Sequence, residues 1–381
     1  MYFENINETT STRCFSFEPA AGVHEYHAIL QVENPLLTYP EQLAAIQGAY
    51  SALLSDTLPK GSVAIMKRYF LSDAANQTDL LMSEALESSD CALSVVEQPP
   101  LNGTKIALWA YFLTDVETKT LPNGLYEVKH GPYRHLWGAG AVNHAATSEY
   151  QTRLLLNEYI MQLALAQGTL ADNCVRTWFF VQNVDVNYAG VVKARNEVFL
   201  TQGLTADTHY IASTGIGGRS ASKEELVRMD TYALLNAAPE QTGHLYAPTH
   251  LNPTHEYGVS FERGSFVDYG DRRQVFISGT ASINNKGEVV YPGDIRLQTE
   301  RMWENVEALL AEADCGFEHV GHLLVYLRDA ADYEVVRAMF AERFPFIPTI
   351  ILLAPVCRPG WLIEMECMAV RPMENPAYAC F

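Results

Sequence analysis

Three short stretches of this 381-residue chain carry one pattern: Phe70-Leu-Ser-Asp-Ala-Ala-Asn-Gln77, Val181-Gln-Asn-Val-Asp-Val-Asn-Tyr188 and Tyr326-Leu-Arg-Asp-Ala-Ala-Asp-Tyr333. Each follows an apolar, strand-like run and precedes an amphipathic helical run. A repeat constrains the fold more than any local propensity, because every copy must bury the same faces. It predicts one α+β domain written three times, with boundaries near residues 1–117, 118–240 and 241–381.

The third copy is the easiest to read. Arg273 to Asn284 predicts a strand ending in a small-residue turn. Ile295 to Glu312 predicts a helix with Met302, Trp303, Val306, Leu309 and Leu310 on one face. A strand follows from Val320 to Leu327, a second helix from Asp332 to Phe344, and two strands, Thr349–Cys357 and Trp361–Val370. The order βαβαββ places helices on one side of a sheet. The second copy repeats it with His135 to Asn143, a helix opening at Gln151, a strand Val175–Val181, a helix Tyr188–Phe199 and a strand Leu226–Leu234. The first copy is the most diverged. It shows a helix near Glu41–Leu54, a strand Val63–Leu71, a helix Gln77–Leu86 and final strands from Cys91 and Lys105.

Lys plus Arg total 26 against 45 Asp plus Glu, a net charge of −19. That field repels nucleic-acid phosphates and anionic membranes. No window reaches the length of apolar chain that a membrane span needs. The seven cysteines form no CxxC pair. Their odd count, with no apolar signal core near Met1, predicts reduced thiols in a cytoplasm.

Reactive groups concentrate near the end of the chain. In Leu362-Ile-Glu-Met-Glu-Cys-Met, Glu364 and Glu366 share one face of a strand. Neighbouring carboxylates beside an apolar run raise each other's pKa, and a carboxyl held protonated can serve as a general acid. Alternating Glu also suits a solvent-facing strand. The repeat speaks against solubility alone, since the aligned pairs are Ala107 and Trp109 in copy one and Arg228 and Asp230 in copy two. Tyr188 and Arg195 lie seven residues apart, two turns along one helix face. Arg263 follows in Ser260-Phe-Glu-Arg-Gly264, and Arg134 and Arg176 are further cations. A solvated helix or turn arginine would account for each of these equally well.

The third copy resembles the Rid (YjgF) superfamily, through Ile277-Ser-Gly279, Gly293-Asp-Ile295, Gln298-Thr-Glu-Arg-Met-Trp-Glu-Asn-Val306, Val325-Tyr-Leu-Arg-Asp329 and Leu362-Ile-Glu-Met-Glu366. Rid proteins have a chorismate-mutase-like fold and form homotrimers with ligand clefts between subunits. The resemblance therefore implies a fused pseudo-trimer with clefts between its own domains. Copies two and three also resemble the chorismatases, through Ser278-Gly-Thr-Ala-Ser-Ile283, Arg176-Thr-Trp-Phe-Phe180, the Tyr188–Arg195 pair and Ile211-Ala-Ser-Thr-Gly215. Chorismatases remove the enolpyruvyl group of chorismate and release pyruvate.

This resemblance implies Glu364 as general acid with Glu366 beside it. Arg195, helped by Arg263, would hold a substrate carboxylate. Tyr188 and Tyr257, the latter in the place of a Rid cleft tyrosine, would line the cleft. The arginine by which Rid imine deaminases hold their substrate is replaced by Ile350, two residues after Pro348. His209–Ser213 and Cys91–Ser94 lack it too. No cofactor or metal is expected: His244, His250 and His255 have no acid or thiol partners at metal spacing, and Gly215-Ile-Gly-Gly218 lacks a nucleotide-loop context. Cys357 beside Arg358 reads as an activated thiol or as a structural cysteine. The expectation is a cofactor-free, monomeric pseudo-trimer acting on a small carboxylate, with a further dimer allowed. Its rivals are an imine or enamine deaminase with a relocated anchor and a non-catalytic carboxylate binder. The repeat places the chemistry at the junction of copies two and three, since copy one keeps neither the acids nor the Tyr–Arg pair.

Overall fold

The computed structural model describes residues 1–84 and 91–381. Unit one runs β1 (Tyr2–Ile6), β2 (Thr10–Phe17), β3 (Glu25–Val32), α1 (Tyr39–Ala52), β4 (Val63–Leu71), α2 (Ala74–Glu84), β5 (Ala92–Glu97) and β6 (Ile106–Leu113). Unit two runs β7 (Glu117–Thr120), β8 (Tyr126–His130), β9 (Tyr133–Val142), α3 (Ser148–Leu165), the short α4 (Leu170–Asn173), β10 (Cys174–Val181), α5 (Val184–Thr201), β11 (Ala212–Gly217) and β12 (Val227–Leu235). Unit three runs β13 (Thr242–Leu245), β14 (Gly264–Asp268), β15 (Arg272–Ala281), α6 (Ile295–Glu312), β16 (Val320–Leu327), α7 (Tyr333–Arg343), β17 (Thr349–Leu353) and β18 (Ile363–Pro372).

The expected threefold α+β architecture is present, with two more strands per unit than βαβαββ. The sheets have the orders β1-β2-β3-β6-β4-β5, β7-β8-β9-β12-β10-β11 and β13-β14-β15-β18-β16-β17. In each, the pair joined through the second helix is parallel and its neighbours antiparallel. The added strands form hairpin extensions at one sheet edge. Several are short and polar, such as Glu117-Thr-Lys-Thr120, so they carry little apolar periodicity. The last two residues of the helix expected over Gln77–Leu86 lie outside the described residues. The other long helices lie where periodicity put them, and α5 starts earlier than Tyr188.

Two local devices recur. A bulge interrupts each central strand pair, between Ala64 and Met66, Cys174 and Arg176, and Val320 and His322. A buried glutamine near the start of the first helix clamps each unit. Gln42, Gln151 and Gln298 donate to the backbone just before their helix, at Leu37, Ala145 and Tyr291. Their side-chain oxygens accept from Lys105, Leu226 and Leu362, at the start of the last strand. A bond of this kind, far from water, fixes the helix to the sheet at one register.

The registers also align the units. Phe70, Phe180 and Tyr326 face Ala107, Arg228 and Glu364. The echo in unit two therefore starts at Phe180, one residue before Val181.

Helices cover one face of each sheet, and the other faces meet at a common axis. Strands β4, β6, β10, β16 and β18 are therefore buried on both sides and read as nearly continuous apolar runs. One core joins Trp109, Trp137, Trp178, Phe180, Tyr232 and Phe276 from all three units, and separate helix–sheet cores lie in units one and two. Isolated bridges stitch the junctions: Glu97 to Arg219, Ile216 to Val356 and Pro100 to Leu352. No helix among the described residues is long and apolar enough to cross a membrane.

Candidate active site

Between units two and three lies a cavity of about 490 Å3, lined in part by Tyr188, Arg195, Tyr257, Arg263 and Glu364. Five of the six residues to which the family resemblance gives a role therefore meet in one place. Tyr188 and Arg195 come from α5, Glu364 from β18, and Tyr257 and Arg263 from the loop leading into β14.

That loop is tied to unit two. Asn196 donates to the Gly258 carbonyl at 2.9 Å and accepts from the Ser260 hydroxyl at 2.6 Å. The Tyr210 amide donates to Glu262 at 2.7 Å. Gly258 closes its turn at φ 85°, in the left-handed region where a Cβ costs energy. The wall opposite is close-packed by the two glycines of the small-residue turns. A Cβ on Gly215 would stand 2.7 Å from the Tyr188 ring, and one on Gly279 would stand 2.1 Å from a Glu364 carboxylate oxygen. Gly279→Ala is therefore expected to push the Glu364 carboxyl aside. We expect kcat/KM to fall about 10²-fold, as for other ångström-scale misplacements of a reacting group, with little change in the unfolding midpoint.

The charges of the cavity are unbalanced. Arg195 is buried, and its Nε and Nη2 atoms have no hydrogen-bond partner among the described residues. Its guanidinium faces the Phe179 and Phe261 rings at 6.0 and 5.7 Å. Such a cation is costly to bury alone, so the arrangement suits an anion delivered from outside. Arg263 is held by the Asn252 carbonyl at 2.9 Å and stacks on Tyr257 and Phe261. Arg358 lies 4.5 Å from the Tyr257 ring centre and 5.2 Å from that of Trp361. Both Arg358 and Trp361 line the cavity. Sequence reasoning passed over Trp361, and met Arg358 only as a neighbour of Cys357. The aromatic spacing Tyr257, Phe261, Trp361 is the signal that could have found the stacked cations.

Among the described residues Glu364 is the one carboxyl lining this cavity. Burial, and then the like charge of Glu366, push its pKa up to about 8, against the pull of Arg176 and Arg263. Its side chain has no hydrogen-bond partner among the described residues. Burial likewise keeps the Tyr188 phenol protonated, so it can only donate or accept a hydrogen bond here.

Glu366 does not reach the cavity. It shares the inward face of β18 with Glu364 but sits at the axis, accepting from Arg176 at 2.6 Å, from Trp178 Nε1 at 3.0 Å and from the Tyr326 hydroxyl at 3.0 Å. The Thr214 hydroxyl binds it as well. The equivalent residues Trp109 and Asp230 occupy the same axis. Arg68 binds Asp230 at 2.9 Å and stacks against Trp109 and Trp178. Every strong contact of Glu366 is thus already made within the protein, and its geometry is that of a buried ion pair rather than of a group free to reach a ligand.

The remaining candidates also find places. Arg176 is bound to Glu366 at the axis, and Arg134 pairs with Glu127. Thr214 stands in unit two where Ile350 stands in unit three, so no arginine occupies that position at this cleft. Gly217 packs against Pro355, and His244 stacks on His209 at 4.5 Å. No group of three metal-ligating side chains occurs among the described residues. Cys357 lines the cavity, but burial and then Glu364 push its thiol up to about 12. It is expected to resist iodoacetamide at neutral pH while exposed Cys380 is alkylated first. Peptide mapping after a short pulse reads this directly, and rapid labelling of Cys357 would contradict it.

At the junction of units one and two, Arg228 takes the place of Glu364. It hydrogen-bonds Ser220 at 3.0 Å and the Gly140 carbonyl at 3.3 Å. Ala107 takes that place in unit one. The acid thus belongs to a single junction.

Fold and cleft together define a single chain of three repeated α+β units with a cavity at the junction of units two and three. Residues 262–371 match the family model described as Endoribonuclease L-PSP, which falls within unit three. A RutC family protein of Pyrococcus abyssi (strain GE5 / Orsay) is 29% identical over 127 residues, 33% of this chain and 91% of its own length. The 3-aminoacrylate deaminase RutC of Acinetobacter baylyi is 32% identical over 71 residues, 19% of this chain and 56% of its own length. A solved chorismatase aligns with a TM-score of 0.65 at 18% identity, covering 82% of this chain and 95% of its own. The chain therefore has the chorismatase fold across most of its length and resembles Rid proteins in sequence through unit three.

Proposed function

We propose that the cleft between units two and three removes the enolpyruvyl group from chorismate or a related carboxylate and releases pyruvate. The observation that carries this reading is Glu364: a buried carboxyl with its pKa pushed up to about 8, facing arginines that have no acid partner in the cavity. The likeness to a chorismatase fold supports it.

Arg195 holds one substrate carboxylate, and Arg263 and Arg358, stacked on Tyr257, hold the opposite end of the ligand. Glu364 gives its proton to the enolpyruvyl methylene carbon. The double-bond electrons form the new C–H bond and leave an oxocarbenium centre on the ether carbon. Water adds there, its proton returns to the Glu364 carboxylate, and the resulting hemiketal collapses to pyruvate and the free alcohol. The net change is hydrolysis of an enol ether, so atoms and charge balance without an added oxidant or reductant. Burial of the site keeps the acid protonated until substrate arrives.

The experiment is to incubate the purified protein with chorismate and follow pyruvate through lactate dehydrogenase. Steady release above the uncatalysed rate is expected. A folded protein that releases none sinks this reading. Ammonia release from an aminoacrylate in a parallel assay would favour the deaminase chemistry named for the Acinetobacter relative instead.

A further inference from the structure

We infer that the chain pairs with a second copy of itself through the outer face of α3. Along that helix Tyr150, Leu154, Met161 and Leu165 are 58%, 44%, 67% and 76% exposed. They form one stripe, since steps of four and seven residues return to the same helix face. With Gln151 and Gln298 equivalent, the same positions of α6 carry Leu297, Arg301, Ala308 and Glu312. Leu297 is exposed, but two charged residues break the stripe in unit three, whereas unit two keeps it apolar throughout in a chain of net charge −19.

The spacing of the stripe selects the occupant. It reads four, seven, four, which is the same in both directions. An antiparallel α3–α3 contact about a two-fold axis between residues 157 and 158 sets Tyr150 opposite Leu165 of the other copy, and Leu154 opposite Met161. A two-fold interface must be self-complementary in this way. At its centre Asn157 meets Glu158 of the other copy, so the amide can donate to the carboxylate twice and no two like charges face each other. Beside the stripe, Arg153 and Lys193 are paired with Glu149 and Glu197, which leaves the flank locally neutral. The high overall charge therefore does not concentrate where the two copies would meet. Helix α3 also packs directly on α5, which carries Tyr188 and Arg195, so the contact would brace one wall of the cleft.

Sedimentation equilibrium of the full chain over a concentration series tests this. A reversible dimer is expected. Leu154→Glu or Met161→Arg should each raise its dissociation constant at least about tenfold, and both positions are exposed enough for the fold to survive. Tyr150→Ser is a milder change in the same direction. The double variant Leu154→Glu/Met161→Arg places opposite charges across the two-fold axis and should restore the dimer. Circular dichroism and the unfolding midpoint confirm that each variant is folded. A monomer at all concentrations, a dimer indifferent to the single changes, or a double variant that fails to re-form the dimer would each overturn the inference.

Discussion

Glu364→Gln is expected to leave the protein folded and to lower pyruvate release by about 10²–10⁴-fold, the contribution typical of a positioned general acid. The carboxyl is already neutral up to about pH 8, so a neutral amide of the same shape changes neither the burial cost nor the packing. The amide cannot deliver a proton to carbon. The wild-type pH profile follows from the same shift. A group whose folded pKa is raised keeps its proton below that value and loses it above, so kcat/KM should fall as the pH rises through about 8. Stopped assays from pH 6 to 10 check this. An active Gln variant, or a profile flat to pH 10, removes Glu364 as the acid.

Glu366→Gln, two residues away, should do the reverse of a purely catalytic change. It is expected to cost about 3–5 kcal/mol of stability, the range seen when one partner of a buried ion pair is removed. The carboxylate binds Arg176 at 2.6 Å and lies 3.8 Å from Arg68. Both arginines are fully buried; Arg68 keeps Asp230, but Arg176 pairs with no other carboxylate among the described residues and is left charged with no route to water. Denaturant unfolding measures the cost, and a loss below about 1 kcal/mol would mean that the axis tolerates the uncompensated charge.

These two acids also show what could be read from the sequence. Strand periodicity is enough to put Glu364 and Glu366 on one face, and the repeat is enough to show that the pair is peculiar to unit three. Their separate fates depend on partners far along the chain: Arg176 and Trp178 in unit two, and Arg68 in unit one. Nothing within a few residues of Glu366 announces them. Tyr188, Arg195, Tyr257 and Arg263 could be named because helix spacing and family likeness put them near a cleft. Arg358 was legible only as a neighbour of Cys357, since its role depends on the ring of Tyr257, far away in sequence, as well as on that of nearby Trp361. The long helices could be read from their periodicity, whereas the edge strands of each sheet were too short or too polar to carry a pattern. The shift of the unit-two echo by one residue became visible only once strand partners fixed the register.

The axis residues Trp109, Asp230 and Glu366 have a wider consequence. Three identical subunits must place three copies of one side chain around their symmetry axis, and three carboxylates there would repel one another. Joining the units into one chain lifts that restriction, so each position can be filled independently. Two cations, two different acids and two indoles then interlock like the wards of a lock that admits its parts in one arrangement. Such a centre encodes the order of the three units. Exchanging two of them would bring the same side chains to the axis beside the wrong neighbours, so the molecule is a trimer in outline but an ordered, irreversible sentence in its chemistry.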